Sequence, residues 1–406
     1  MNQAFYLRRI WSFSKALDLA LVDEEIERGL QIALGERHGE RVAYIALSLG
    51  SVLKLSENDK MLLMVAGLLH DIGAVGSFRR YHGDHRLMVK HCLAGEKLVE
   101  RFPSGEGLAP IVRLHHEAPD ASRGALGVAA GQVPLLAKIL AFADRVDVHL
   151  ARRYSSRQER EALVHWIQEG DGKLLYPEIV PAFLALIGKE SFWLDLEQSD
   201  LFQICLGHLF QEWAIPVRED LETGFTDDLV TTFADLIDQK SEFTFRHSAS
   251  VSEAAERLAR ALGWQEQALY EMRVAGLLHD LGKLAMPKKI LDKPGPLNAE
   301  EIDVIRTHTY YTYRLLTEAG FPQQVVEWAA YHHERLDGQG YPFALAGEEI
   351  SQGARLMAIA DMFAALTEER PYHQARTAGE ALDIIRKGIG TSVDGTLVAL
   401  AARVLG

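Results

Sequence analysis

Ten of the sixteen histidines in this 406-residue chain fall into two copies of one pattern. Leu68-Leu69-His70-Asp71-Ile72-Gly73 returns as Leu277-Leu278-His279-Asp280-Leu281-Gly282, each residue 209 positions later. A further histidine stands 32 residues before each His-Asp pair, at His38 and His247. Downstream, His91, His115, His116 and Asp144 are matched by His308, His332, His333 and Asp361, now at an offset of 217. The only length change is therefore eight residues between the His-Asp pair and the next histidine. Imidazole and carboxylate donors without cysteine suit iron, manganese or zinc. Neighbouring His and Asp cannot serve one ion equally, but they can serve two adjacent ions if the carboxylate bridges. Seven donors exceed one ion's need and suit a pair. Two metals about 3.5–4 Å apart clamp a phosphodiester and supply hydroxide at neutral pH.

Such donors must be carried on elements that converge, and the local periodicity is helical. His38, Val42, Ile45 and Leu49 share one face, as do His247, Val251, Leu258 and Leu262, so both first histidines point at a core. Asn298 with Glu301 predicts a capped helix start, and Gly320 followed by Pro322 a helix stop. The copies also match near their ends, where Ile179-Val180-Pro181-Ala182 parallels Thr396-Leu397-Val398-Ala399. Strand-like alternation is scarce. The expected fold is all-α, with tandem helical bundles over 1–188 and 226–406. A helical connector, 189–225, carries Trp193, Phe202, Leu206, Phe210 and Trp213 and offers a surface for packing one bundle on the other.

Composition narrows the class further. Forty-three Lys and Arg against 57 Asp and Glu leave a formal charge of −14. Bulk charge of this sign disfavours nucleic acid and leaves a small anion bound at a local positive site. Two cysteines, Cys92 and Cys205, make no disulfide framework and fit a reducing compartment. The longest clean apolar run is Met61 to Leu69, too short to span a bilayer. The N-terminal residues lack the pattern of a targeting segment. The expectation is a cytoplasmic protein without membrane contact.

With these residues in view, the chain resembles the HD phosphohydrolase superfamily. The second copy continues as His279-Asp280-Leu281-Gly282-Lys283 and as His332-His333-Glu334-Arg335-Leu336-Asp337-Gly338-Gln339-Gly340-Tyr341-Pro342. Over roughly 226–406 it is similar to the HD-GYP subfamily, bacterial phosphodiesterases of cyclic di-GMP. The resemblance implies hydrolysis of a cyclic dinucleotide, with cyclic di-GMP giving pGpG and GMP as the leading case and cyclic GMP–AMP as the alternative. A non-catalytic nucleotide-sensing or docking scaffold is the rival class. The implied metal ligands are His247, His279, Asp280, His308, His332, His333 and Asp361. Asp280 would bridge two divalent transition-metal ions, iron or manganese among them. Lys283 would act on the scissile phosphate. Lys283, Lys288, Arg314, Gly340 and Tyr341 are the implied substrate contacts, and Lys288, Lys289 and Lys293 form a local basic patch. A third ion in some members needs a Glu four residues before the first His. Phe243 stands there, with Glu242 one place off, so two ions are expected. Thr309 and Thr312 depart from the more usual Pro and Gly. Expected partners are the substrate, signalling proteins such as diguanylate cyclases, and further copies of the chain.

The first copy keeps a second candidate metal set, His38, His70, Asp71, His91, His115, His116 and Asp144. Ala74 replaces the lysine, Glu117-Ala118-Pro119-Asp120 follows the paired histidines without Gly-Tyr-Pro, and the loop after Asp71 is shorter. This copy is expected to be HD-type and regulatory, not hydrolytic.

Overall fold

The computed structural model describes residues 3–26, 37–74, 85–150, 157–170, 172–209, 225–240, 246–369 and 375–406. The chain divides into two compact units, Met1–Pro216 and Val217–Gly406. The described residues are helical, with two isolated bridges, Asp337 with Ala346 and Ile389 with Val393, and no strand. No described helix is long and apolar enough to cross a membrane.

In the first unit the helices are α1 (Gln3–Ile26), α2 (His38–Val52), α3 (Glu57–Leu69), α4 (His85–Val99), α5 (Gly105–Leu114), α6 (Leu135–Leu150), α7 (Arg157–Gly170), α8 (Val180–Ile187), α9 (Glu190–Glu197) and α10 (Leu201–Leu209). In the second they are α11 (Phe225–Lys240), α12 (His247–Ala261), α13 (Glu266–Leu278), α14 (Lys288–Leu291), α15 (Ala299–Glu318), α16 (Gln323–Ala330), α17 (Gln352–Thr367), α18 (Ala378–Arg386) and α19 (Gly395–Val404). In each unit the helix that starts at the first histidine packs along the helix that ends at the His-Asp pair: α2 on α3, and α12 on α13. Small residues allow the close approach. A Cβ on Gly67 would lie 2.5 Å from the Ala43 Cα, and one on Gly276 would lie 2.6 Å from the Ser252 Cα.

The expected capping box is present: Glu301 N–H donates to Asn298 Oδ1 at 2.9 Å, and Asn298 N–H donates to Glu301 Oε2 at 2.8 Å. Gly320, at φ 72°, ends α15. The connector differs from expectation. Its described part, α9 and α10, is built into the first unit, where Phe192 meets Tyr44 and Phe183 and Phe202 meets Trp11. Of these rings, Trp11, Tyr44, Phe183 and Phe192 belong to that unit's own core. Phe210 and Trp213 lie outside the described residues, as do Glu242 and Phe243.

Candidate metal centre

The His-Asp pair stands at the end of a helix. α13 stops at Leu278, His279 caps it, and Asp280 leaves the helical region at φ −100° and ψ 14°. A 3₁₀ turn, Leu281–Ala285, follows. That turn brings residues three apart into line, and the Lys283 ammonium lies 2.5 Å from Asp280 Oδ2. Thr312 anchors the turn on α15, accepting from Gly282 N–H at 2.9 Å and donating to the His279 carbonyl at 3.1 Å. The threonine that departs from the usual pattern is thus a structural tie.

Helices α12, α15 and α17 and the C-terminal ends of α13 and α16 deliver their donors to one point. His247, from the start of α12, is 3.2 Å from Asp361 on α17 and 3.9 Å from Asp280 Oδ2. His279 Nε2 is 3.2 Å from the same Asp280 oxygen. The other oxygen, Oδ1, faces His308 at 3.4 Å and His332 at 4.0 Å. One carboxylate therefore divides its two oxygens between two groups of imidazoles. The same division appears in two sets of donor atoms, each within 4.8 Å: His247, His279 and Asp280, and His308, His332 and His333.

The ring orientations are fixed from behind. His279, His308 and His332 each direct Nδ1 at the carbonyl three residues earlier, Gly276, Ile305 and Ala329, at 2.8, 2.6 and 2.7 Å. A carbonyl only accepts, so Nδ1 carries the proton and Nε2 presents a lone pair. Those three Nε2 atoms and Asp280 Oδ1 are buried without a hydrogen-bond partner. Buried polar atoms are rarely left so. A divalent metal is a group that fits these donors.

The chain is similar to known proteins. HD-domain family models match residues 36–148 and 231–397. A 3′3′-cGAMP-specific phosphodiesterase of Vibrio cholerae is 31% identical over 95% of this chain and 87% of its own length. A cyclic di-GMP phosphodiesterase of Pseudomonas aeruginosa is 42% identical over 35% of this chain and 34% of its own. The crystal structure of a cyclic GMP-AMP-specific phosphodiesterase of V. cholerae covers 98% of this chain and 97% of its own, with a TM-score of 0.70 at 24% identity, which shows a shared fold. The chain belongs to the HD-domain family.

The electrostatics of the second HD domain suit ligation. Burial alone would raise Asp280, but His279, Lys283 and His308 hold it well below the usual carboxylate range. Asp361 is likewise held low against its burial, chiefly by its hydrogen bond with His247. Burial pushes His308, His332 and His333 down to about 3. Ionised carboxylates and neutral imidazoles are the forms that bind metal. His247 differs. Burial would lower it, yet hydrogen bonds to Asp361 and Glu368 raise it to about 9.

The first HD domain repeats the layout. Its donor sets are His38, His70 and Asp71, and Asp71, His91, His115 and His116. Asp71 again divides its oxygens, Oδ2 toward His70 at 3.4 Å and Oδ1 toward His91 at 3.2 Å. Asp144 lies 3.4 Å from His38 and 3.7 Å from His116.

Beside the second centre is a cavity of about 480 Å³, with Arg306, His332, His333, Gln339, Tyr341 and Met362 in its wall. Tyr341 is among the residues that line this cavity. Gly340, Arg314 and Lys288 make other contacts. Gly340 supports the loop: a Cβ there would sit 2.5 Å from Glu334 Cα and Arg335 N. Arg314 is exposed and pairs with Glu318 at 3.3 Å, not with the cavity. Lys288 donates to the Lys240 carbonyl and pairs with Asp292, and Lys293 pairs with Glu301 at 2.6 Å. The lysine patch is therefore largely answered by nearby acids.

Several neighbours of the donors had no role assigned from sequence. Glu368 accepts from His247 Nδ1 at 2.9 Å. In the first domain Asp147 accepts from His38 Nδ1 at 2.8 Å and takes both Arg41 nitrogens, Nε and Nη2, at 2.6 and 2.8 Å. Glu117 and Glu334, directly after the paired histidines, are buried loop clamps. Glu117 accepts from Leu126 and Val128 N–H at 2.6 and 2.7 Å, and Glu334 accepts from Phe343 and Leu345 N–H at 2.7 and 3.0 Å. Their matching register was the available signal.

Proposed function

We propose that the second HD domain is a metal-dependent phosphodiesterase that opens a 3′–5′ phosphodiester of a cyclic dinucleotide. The observation that carries this reading is Asp280, buried, ionised and shared between two imidazole groups through its two oxygens. His247, His279, Asp280, His308, His332, His333 and Asp361 are the proposed ligands for two divalent ions. Bound there, the ions supply Lewis acidity toward phosphate oxygens and a nucleophile at neutral pH. Asp280 would offer one oxygen to each. The backbone bonds behind His279, His308 and His332 hold the imidazoles in the ligating tautomer. Lys283, at 2.5 Å from Asp280, places a cation where charge grows on the phosphate.

For the bases, the relative similar over nearly the whole tandem chain is named for 3′3′-cGAMP, whereas the 42% match named for cyclic di-GMP spans only 142 residues. We favour 3′3′-cGAMP, with cyclic di-GMP as the second reading. The first HD domain is proposed to hold metal and to support the second without hydrolysing the same substrate. Initial rates of the metal-loaded chain on 3′3′-cGAMP, cyclic di-GMP and cyclic di-AMP test the assignment. A linear dinucleotide product, formed fastest from 3′3′-cGAMP, is expected. Turnover fastest on cyclic di-GMP selects the second reading. No product from any of the three overturns both.

A further inference from the structure

Two arginines reach the cavity beside His332 and His333, and they are held differently. Arg335 pairs with Asp337 through Nε and Nη2 at 3.0 and 2.6 Å, so its charge is matched locally. Arg306 lies over the ring of Tyr341, its guanidinium carbon 5.4 Å from the ring centre. The Asp303 carboxylate is 3.9 Å from Arg306, and both side chains are more than half exposed. Such a pair contributes little. Tyr341 also approaches His333, with ring centres 4.9 Å apart, and His308 at 6.4 Å. One aromatic ring thus links the histidine group to the guanidinium. A guanidinium held over an aromatic ring and more than half exposed keeps N–H donors for a tetrahedral anion.

A cyclic dinucleotide carries two phosphodiesters. When one lies on the metal centre, the other must be met nearby, in a protein whose net charge of −14 repels a dianion. We infer that Arg306 is a specificity-determining residue that binds the second, non-reacting phosphate of the ring. This rests on the cyclic-dinucleotide reading of the same site. Arg306 and His308 leave α15 on different faces, and Tyr341 is what relates them, its ring centre 5.4 Å from the Arg306 guanidinium carbon and 6.4 Å from the His308 ring. In the first HD domain the corresponding positions are Val89 and Gly124. Both halves of the Arg306–Tyr341 stack are missing there, although the metal donors remain.

The test compares a substrate with two phosphodiesters against one with a single phosphodiester. The metal-loaded full chain, as wild type, Arg306→Ala and Arg306→Lys, is assayed on 3′3′-cGAMP, cyclic di-GMP and bis(4-nitrophenyl) phosphate. The ratio of kcat/KM for cyclic dinucleotide to kcat/KM for the simple diester should fall by roughly 10- to 100-fold in Arg306→Ala, mostly through KM. Arg306→Lys should recover part of it, keeping charge but not the fork. The fall should be alike for both cyclic dinucleotides. An unchanged ratio in an active Ala variant overturns the inference alone. So does a fall that grows with the number of guanines, which would make Arg306 a reader of base edges. Wild-type protein that cleaves the simple diester but neither cyclic dinucleotide overturns the functional reading itself, and this inference with it.

Discussion

Asp280 and Lys283 sit three residues apart, and their roles separate by what each can lose. Asp280 offers one oxygen to each imidazole group, so Asp280→Ala removes the shared ligand and should abolish hydrolysis together with metal retention. Lys283 supplies no lone pair while protonated, and its ammonium is aimed at the same place. Lys283→Ala should lower kcat by about 10²–10³-fold, the usual cost of removing one preorganised charge donor, with metal content nearly kept. Elemental analysis beside turnover checks both. A Lys283→Ala protein that loses metal but turns over normally on reconstitution would contradict the assigned role. In the first unit, buried Asp18 accepts from Gly39 N–H at 3.2 Å. Burial pushes its carboxyl up to about 7 from an ordinary 3.8. The folded state then keeps a proton that the unfolded chain has shed. Asp18 contributes its stability below about pH 4 and loses it as pH rises through 7. Asp18→Asn keeps the acceptor without the charge. In chelator-treated protein its melting temperature should gain on wild type between pH 4 and 8, and a constant difference would refute this.

At the scale of elements, the centre depends on how closely the His-Asp turn sits against the next helix. A Cβ on Gly282 would lie 1.9 Å from the His308 carbonyl oxygen, and one on Gly73 would lie 2.3 Å from that of His91. Both obstacles are backbone. Gly282→Ala must therefore move α15, which carries His308, and should cost about 1–3 kcal/mol as overpacking. Chemical denaturation reads the stability loss. Turnover should fall further than stability alone explains, because His308 shifts relative to Asp280. The register of histidines and aspartates made both donor sets legible in the sequence, since ligands repeat wherever a duplicated scaffold is kept. The helix caps were legible for the same local reason. The partners of Lys288 and Lys293, Asp292 and Glu301, were not legible because only the folded loop brings them close. Glu368 was invisible because His247 lies 121 positions away, and no repeat marks it.

The whole molecule carries the same seven donor types twice, with different surroundings. Around the second centre stand Lys283, Arg306, Tyr341 and Met362. In register with them, the first copy has Ala74, Val89, Gly124 and Arg145. Arg145 does not replace the missing cations in kind. Its Nη2 is committed to the carbonyls of His116 and Glu117 at 3.1 and 2.8 Å. Ligation needs only His and Asp, whereas hydrolysis needs an anion pocket as well, so the duplication separates the two. The first domain should keep metal and lack turnover. The most direct measurement is a paired comparison in the full chain: cyclic dinucleotide hydrolysis by His70→Ala/Asp71→Ala and by His279→Ala/Asp280→Ala, each with its fold checked by circular dichroism. The first pair should retain most of the wild-type rate and lose metal from the first domain, while the second pair should lose hydrolysis altogether. Hydrolysis that survives loss of His279 and Asp280, or that disappears with His70 and Asp71 in a folded chain, would contradict the account.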